Sequence, residues 1–395
     1  MVTSFGEREI MDYFLTEEQI MIQELARKIA EEKVLPVRAE LDEKEEFPWD
    51  IIHDLAASDM FAIFVPEEYG GLDGGILELA LVVEELSRAC SGVAVSYAAS
   101  SLGAFPILFN GSDEQKKRLL PDIAQGKRLA AFGLTESEAG SDAGGIQTTA
   151  RKDGKEYVLN GTKQWITNAG EAEIYTVIAL TDKAKGPRGA TAFIVEKDTP
   201  GFTFGQKEKK LGIRASSTRE LIFEDCRIPE ENIIGREGMG FMITMKTLDK
   251  SRPGIGAQAV GVAQGAYEEA AAYARERKQF GQSIISFQAV QHMLAEMATK
   301  IEAARSLVYS ISRYIDSGAK NISKVSAMSK VFPSDVAMEV TVDAVQIFGG
   351  SGYMREYPVE KMMRDAKITQ IYEGTNQIQR NIIAQSIIKE LASRE

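Results

Sequence analysis

Few residues in this sequence suit acid–base chemistry at neutral pH, and one stands apart. In Ile371-Tyr372-Glu373-Gly374-Thr375-Asn376-Gln377-Ile378-Gln379-Arg380, a lone carboxylate sits in an apolar-flanked stretch ahead of a glycine. Partial desolvation would raise its pKa and suit it to proton abstraction; the plain alternative is a helix-terminal Glu near a positive dipole end. Residues 132–142, Phe-Gly-Leu-Thr-Glu-Ser-Glu-Ala-Gly-Ser-Asp, pack hydroxyls, acids and glycines into a turn. Exposed amides there could hold a polar ring edge or a phosphate, or the segment is an ordinary surface turn. Trp165-Ile166-Thr167-Asn168 sets an indole beside a hydroxyl at the end of an expected strand. That ring either stacks on a flat cofactor or fills the core. Arg277-Lys278-Gln279-Phe280-Gly281, with Gln288 following, puts cations at a helix end, where they are solvated or meet a pyrophosphate.

Other chemistries are poorly served. Two cysteines, Cys90 and Cys226, and two histidines, His53 and His292, cannot build a zinc cluster or a disulfide framework. No metal site is expected. Lys and Arg total 46 against 58 Asp and Glu, a formal charge of -12, which disfavours a general nucleic-acid binder. No uninterrupted apolar run approaches the roughly 18 residues of a membrane span. The first twenty residues carry acids and no apolar h-region, so the expected location is cytoplasmic, or the mitochondrial matrix for a mature organellar form. Gly254-Ile255-Gly256-Ala257-Gln258-Ala259 matches a dinucleotide fingerprint in spelling. No strand precedes it, so it reads as small residues at a helix–helix contact.

The elements that must position these residues fall into three blocks over 395 residues. Residues 1–129 read helical, with Thr16-Glu17-Glu18-Gln19 as a capping box and four glycines in residues 66–75 marking a loop. Residues 130–241 change period. Asp153-Gly154 and Asn160-Gly161 are hairpin-turn pairs, and short strand-like runs predict an antiparallel sandwich or barrel. Residues 242–395 are helical again, with Val336, Val340, Ala344 and Phe348 along one face and Gly349-Gly350 ending that helix. The expected fold is mostly α with a central β domain, and a ligand between blocks is typical of domain junctions.

In this order and spacing, the segments resemble the acyl-CoA dehydrogenase family over essentially the whole chain. The matching stretches are Pro66-Glu67-Glu68-Tyr69-Gly70-Gly71, residues 134–142, Trp165-Ile166-Thr167-Asn168, Leu211-Gly212-Ile213-Arg214, residues 277–281, residues 346–350 with Gly352-Tyr353, and residues 371–379. Residues 1–10 look like an extension. The resemblance implies an N-terminal helical domain, a middle β domain and a C-terminal four-helix bundle. It further implies one FAD per subunit, usually in a homotetramer, and an electron-transfer flavoprotein as acceptor.

The resemblance also implies roles. Glu373 takes the α-proton of an acyl-CoA thioester, the β-hydrogen leaves as hydride to the flavin, and the Glu373 N–H with a ribityl hydroxyl holds the thioester oxygen. In some branches the base lies instead in the segment that reads Leu248-Asp249-Lys250-Ser251-Arg252 here; Ser251 cannot serve as that base. Phe132, Leu134, Thr135, Gly140, Ser141, Trp165, Ile166 and Thr167 are implied cofactor contacts. Arg277, Phe280, Gln288, Gln346 and Gly350 would reach a neighbouring subunit's FAD, and Thr375 and Gln377 would close over the cofactor. Ser141, Asp249, Arg252 and Gly374 would meet the acyl-CoA, and Tyr97 forms the pocket floor or belongs to the core. The closest likeness is to short-chain, butyryl-type members. The glutaryl branch clamps a distal carboxylate with an Arg near the stretch that reads Ser91-Gly92-Val93-Ala94 here, where no cation stands. The same residues would also serve an acyl-CoA reductase running in reverse, branched and alicyclic acyl groups stay open, and a silent helical scaffold is the non-enzyme alternative.

Overall fold

The computed structural model describes residues 13–393; the extension over residues 1–10 lies outside them. The first helices are α1 (Glu17–Ile29), α2 (Arg38–Lys44), α3 (Trp49–Ala57), α4 (Ile76–Ala89), α5 (Ser91–Asn110) and α6 (Asp113–Ala124). Both halves of the capping box before α1 form: Thr16 Oγ1 accepts from Gln19 N at 3.2 Å and Gln19 Oε1 from Thr16 N at 3.0 Å. By length and composition α5 could cross a bilayer, a feature the search for unbroken apolar runs passed over because serines punctuate it. Most of it is buried between the sheet and the C-terminal helices, as the core helix of a globular fold is.

The β block comprises β1 (Ala130–Gly133), β2 (Thr149–Asp153), β3 (Glu156–Thr167), β4 (Ile174–Leu180), β5 (Ala190–Glu196), β6 (Phe202–Phe204), β7 (Thr218–Pro229) and β8 (Ile233–Ile234). They form one sheet in the order β6-β7-β3-β2-β4-β5-β8, with β1 also paired to β4. Most pairings are antiparallel, but β1 and β2 each run parallel to β4, so the sheet is mixed. The Asp153-Gly154 turn forms as expected, with Asp153 opposite Glu156. Asn160-Gly161 is not a turn. It lies inside the continuous β3, where the register against β7 slips between Leu159 and Gly161 as a β-bulge.

The C-terminal helices are α7 (Gly240–Glu276), α8 (Gln288–Asp316), α9 (Ser323–Phe348), α10 (Val359–Thr369) and α11 (Asn376–Ala392), with a hairpin of β9 (Lys278–Gln279) and β10 (Gln282–Ser283) after α7. Val336, Val340, Ala344 and Phe348 are buried along α9 as their spacing predicts. Buried polar groups tie the N-terminal helices to this bundle. Glu84 of α4 accepts from Arg305 Nε at 2.7 Å and from Tyr309 Oη at 2.9 Å, while Arg305 Nη2 donates to Gln264 Oε1 at 2.8 Å.

The fingerprint-like glycines have the bland role. A Cβ on Gly256 would lie 2.0 Å from the Ser329 carbonyl oxygen of α9. Pro333, four residues on, has no N–H to give that carbonyl, and the glycine lets α7 approach over it. This crossing fixes the spacing of two helices that carry site residues. We expect Gly256→Ala to force the pair apart and to cost about 2–3 kcal/mol, read as a lower thermal midpoint.

Candidate active site

Glu373 lies in the turn between α10 and α11, in the left-handed region at φ 52°, followed by Gly374 at φ 89°. A non-glycine residue there carries of order 1–3 kcal/mol of strain, so the turn must be held. Gln379 Nε2 donates to the Glu373 carbonyl at 3.1 Å and to the Gly374 carbonyl at 2.9 Å. Lys330 Nζ donates to the Gly374 carbonyl at 2.9 Å. Thr375 caps α11, its hydroxyl accepting from Ile378 N at 3.3 Å. At φ 89° an L side chain is strained whatever the space around it, and a Cβ on Gly374 would also push Gln379 Nε2, 2.7 Å away, out of its place. With both carbonyls turned toward these donors, the Glu373 N–H meets no acceptor among the described residues.

The Glu373 carboxylate is met from α7. Ser251 Oγ donates to its Oε2 at 2.5 Å, so the alternative base position supplies a hydrogen bond to the carboxylate. Burial pushes the Glu373 pKa up, while Ser251 and the cations of Arg252 and Lys330 oppose the rise. Arg252 is buried and paired with Asp249 at 2.8 Å, and Ser323 also donates to Asp249. Arg252 therefore acts on Glu373 through its charge, which it shares with Asp249. Tyr372 donates to Gln258, whose amide donates to Ser91 Oγ at 2.7 Å, so a buried polar chain runs from the base loop to the start of α5.

A second group of residues gathers at the end of β3. The register against β7 slips again between Lys163 and Ile166, which turns neighbouring side chains in opposite senses. Lys163 points inward and is fully buried, donating to Glu136 Oε1 at 2.6 Å and to the Leu134 carbonyl at 3.1 Å. Glu136 also accepts from Gln147 N at 2.5 Å and Thr148 N at 3.1 Å. Burial lowers Lys163 to about 8 with Glu136 pulling the other way. For Glu136 burial is the largest influence and raises its pKa, but Lys163 and the amides outweigh it and hold the carboxylate below its usual value. This pair pins residues 134–136 against the sheet. Trp165 turns outward at φ 57° and is 56% exposed. An indole left open and held in a strained conformation is not filling the core; the Thr135 carbonyl, accepting from Gln164 N at 2.8 Å, lies against the same stretch. Gly140 and Ser141 are exposed beyond them and Phe132 is half-buried. The Ile166 side chain is buried, so only its backbone can meet a ligand.

The remaining expected residues take two courses. Tyr97 is fully buried, packs on Phe61 and donates to the Met60 carbonyl at 2.8 Å; it belongs to the core and lines no pocket. Arg277, Gln288, Gln346 and Gly350 lie where α7 and α9 end and α8 begins, with the ends of α7 and α9 drawn together as Tyr273 stacks on Phe348 at 4.1 Å. Phe280 stands at the β9–β10 tip, 94% exposed. Gln377 is exposed on the first turn of α11. Among the described residues nothing covers this open group. The loop Leu211-Gly212-Ile213-Arg214 docks on α10, where Ile213 N donates to Asp365 Oδ1 at 2.6 Å and Arg364 Nη1 to the Leu211 carbonyl at 2.9 Å. Lys330, Gln258 and Asp335 were not singled out in the sequence. Lys330 precedes Ala337 by seven residues, which puts it on the buried stripe of α9, and that spacing was the available signal.

Comparison with known proteins agrees with this layout. Models of the acyl-CoA dehydrogenase N-terminal, middle and C-terminal domains match residues 16–127, 131–226 and 238–388. The probable acyl-CoA dehydrogenase FadE25 of Mycobacterium tuberculosis is 50% identical over 375 residues, 95% of this chain and 96% of that protein. The solved structure of butyryl-CoA dehydrogenase from Megasphaera elsdenii is 46% identical, with a TM-score of 0.93 over 96% of this chain and 100% of that one. A chain from the structure described as the electron transferring flavoprotein of Acidaminococcus fermentans is 50% identical, with a TM-score of 0.93 over 95% and 99%. The chain belongs to the acyl-CoA dehydrogenase family, a family of FAD-dependent oxidoreductases.

The buried Lys163–Glu136 pair gives a test of how residues 134–136 are held. Lys163→Met should cost about 3–5 kcal/mol by leaving Glu136 uncompensated, and adding Glu136→Gln should return much of the loss. Denaturant unfolding of both variants checks this.

Proposed function

We propose that this protein oxidises a short, uncharged acyl-CoA thioester to the 2-enoyl-CoA, with Glu373 as the base. The observation that carries this is the Glu373 turn: a half-buried carboxylate and an unengaged backbone N–H on one residue, fixed by donors from three helices. The α-proton of a thioester is a very weak acid. Its removal needs a base close to the α-carbon and a preorganised donor for the oxygen that becomes enolate-like. Glu373 would supply both from one backbone position, so the donor and the acceptor keep a fixed separation. Trp165, Thr167, Leu134 and Thr135 would hold the FAD ring, with Phe132, Gly140, Ser141 and the Ile166 backbone nearby. When bound, FAD supplies the acceptor for the β-hydride. Thr375 and Gln377 lie beside the base and would close over the cofactor.

Arg277, Phe280, Gln288, Gln346 and Gly350 would reach the FAD of a neighbouring subunit in a homotetramer, which gives their exposure a purpose. The likeness to a chain of the A. fermentans flavoprotein structure supports an electron-transfer flavoprotein as acceptor. For the acyl group, the likeness to butyryl-CoA dehydrogenase supports a short chain. Ala94 is buried, and Ser91 is engaged by Gln258, so no cation from that stretch meets a distal carboxylate. Burying an unpaired carboxylate would cost several kcal/mol, roughly a thousandfold in affinity. Butyryl-CoA should therefore bleach the flavin far faster than glutaryl-CoA, and the reverse order would defeat the specificity argument.

Glu373→Gln should keep FAD and fold yet reduce flavin on the order of 10⁴-fold more slowly, because an amide cannot take the proton. Near-normal reduction in that variant would reject the assignment. The base works only when ionised, and burial raises its pKa above 4.5. Hence kcat/KM should rise with pH through a midpoint above that value and fall away on the acidic side, as rate profiles with butyryl-CoA would record.

A further inference from the structure

Lys330 lies in the middle of α9 and is fully buried. Two other deeply buried lysines answer carboxylates directly: Lys163 meets Glu136 at 2.6 Å and Lys361 meets Asp365 at 2.5 Å. Among the described residues Lys330 has no carboxylate within ion-pair distance. Its partners are the Gly374 carbonyl at 2.9 Å and Asn376 Oδ1 at 2.8 Å. Neutral partners offset little of the cost of burying an ammonium, so an apolar side chain of similar length would serve packing better. Both partners belong to the turn that presents Glu373.

The surroundings complete the device. Asn376 Nδ2 donates to Asp335 Oδ1 at 2.7 Å, and Asp335 also receives Gln370 Nε2 at 2.7 Å and Arg380 Nη2 at 2.5 Å. Asp335 is therefore occupied by α11 and the end of α10, and does not neutralise Lys330 directly. Gln379 grips the same turn from α11 through both carbonyls. We infer that Lys330 is a positioning residue for the proposed base, clamping the left-handed Glu373-Gly374 turn through the Gly374 carbonyl while its positive charge favours the ionised carboxylate beside it. This inference rests on Glu373 being the base.

The charged groups that act on Glu373 are Arg252 on α7 and Lys330 on α9; Asp249 pairs with Arg252, Asp335 on α9 and Arg380 on α11 act on Lys330, and Tyr372 is adjacent in sequence. Arg252 already shares its charge with Asp249 at 2.8 Å, and Arg380 with Asp335. Lys330 is left as the cation near Glu373 without a carboxylate of its own. Burial lowers it to about 7, with Glu373 opposing the fall. Below that value Lys330 is charged and favours the ionised Glu373 carboxylate.

Two substitutions in the FAD-loaded enzyme separate the mechanical part from the electrostatic one. Lys330→Gln keeps a donor and loses the charge; Lys330→Met loses both. Flavin bleaching by butyryl-CoA is followed against pH. Both variants should move the acidic midpoint of kcat/KM upward by about one unit. Lys330→Met should in addition lose about 10²-fold in flavin reduction at the plateau, since a misplaced base is costly. A purely structural lysine would lower stability and leave the midpoint in place; folded, FAD-loaded variants with the wild-type midpoint overturn the inference. If neither Lys330 variant retains FAD, Gln379→Met decides. It removes the opposing clamp without touching charge, and should slow reduction about tenfold with an unmoved midpoint, whereas a full-rate Gln379→Met enzyme overturns the clamp. Activity surviving in Glu373→Gln would instead reject the base itself. An inactive Glu373→Gln beside unaffected Lys330 and Gln379 variants would reject only the role given to Lys330.

Discussion

A carboxylate that is to remove a weakly acidic proton must be partly dehydrated and must not move. Those demands conflict, because a dehydrated carboxylate tends to turn toward whatever donor or cation it can find. For the base proposed in this protein the conflict is met by fixing the backbone first. The Glu373-Gly374 turn is left-handed at two successive residues, and each carbonyl has an assigned donor. Three long helices supply the restraints: α7 through Ser251, α9 through Lys330 and α11 through Gln379. The close passage of α7 over α9 at Gly256 and Ser329 then matters beyond packing, since it sets the distance between two of these supports.

Buried charge is used in different ways across the fold. Glu84 with Arg305, and Lys163 with Glu136, are closed arrangements in which each charge meets its opposite and hydrogen bonds complete the set. They tie elements distant in sequence: α4 to α8, and the turn after β1 to β3. Around Glu373 the arrangement is open. Its carboxylate has a hydroxyl for a close partner, and the cations near it are engaged elsewhere or bound to neutral groups. Closed pairs hold their protonation state; an open set leaves a proton affinity that can be spent on a ligand.

What could be read in the sequence follows the range of the interactions involved. The capping box at Thr16, the Asp153-Gly154 turn and the buried face of α9 depend on residues a few positions apart, and all form. Asn160-Gly161 has turn chemistry too, but β7, more than sixty residues on, pairs through it and makes it a bulge. The outward turn of Trp165 has the same origin, a register slip set by a distant strand. Glu373 was visible as a lone acid before a glycine, whereas its positive φ was not, because the donors that enforce it lie on other helices or further along. Lys330 shares the stripe of Ala337 and Ala344, yet lysine is rarely fully buried, and composition alone sends it to the surface.

The 2.5 Å contact between Ser251 Oγ and Glu373 Oε2 means that positions 122 residues apart in the chain deliver their side chains to one point. The location of a proton acceptor in this architecture is thus a property of the space between α7 and the α10–α11 turn. It does not belong to either segment. A lineage could transfer the acid from one helix to the other and still deliver it to the same point, so the address of such a carboxylate in the sequence is a poor guide to kinship, and the point it reaches is a better one.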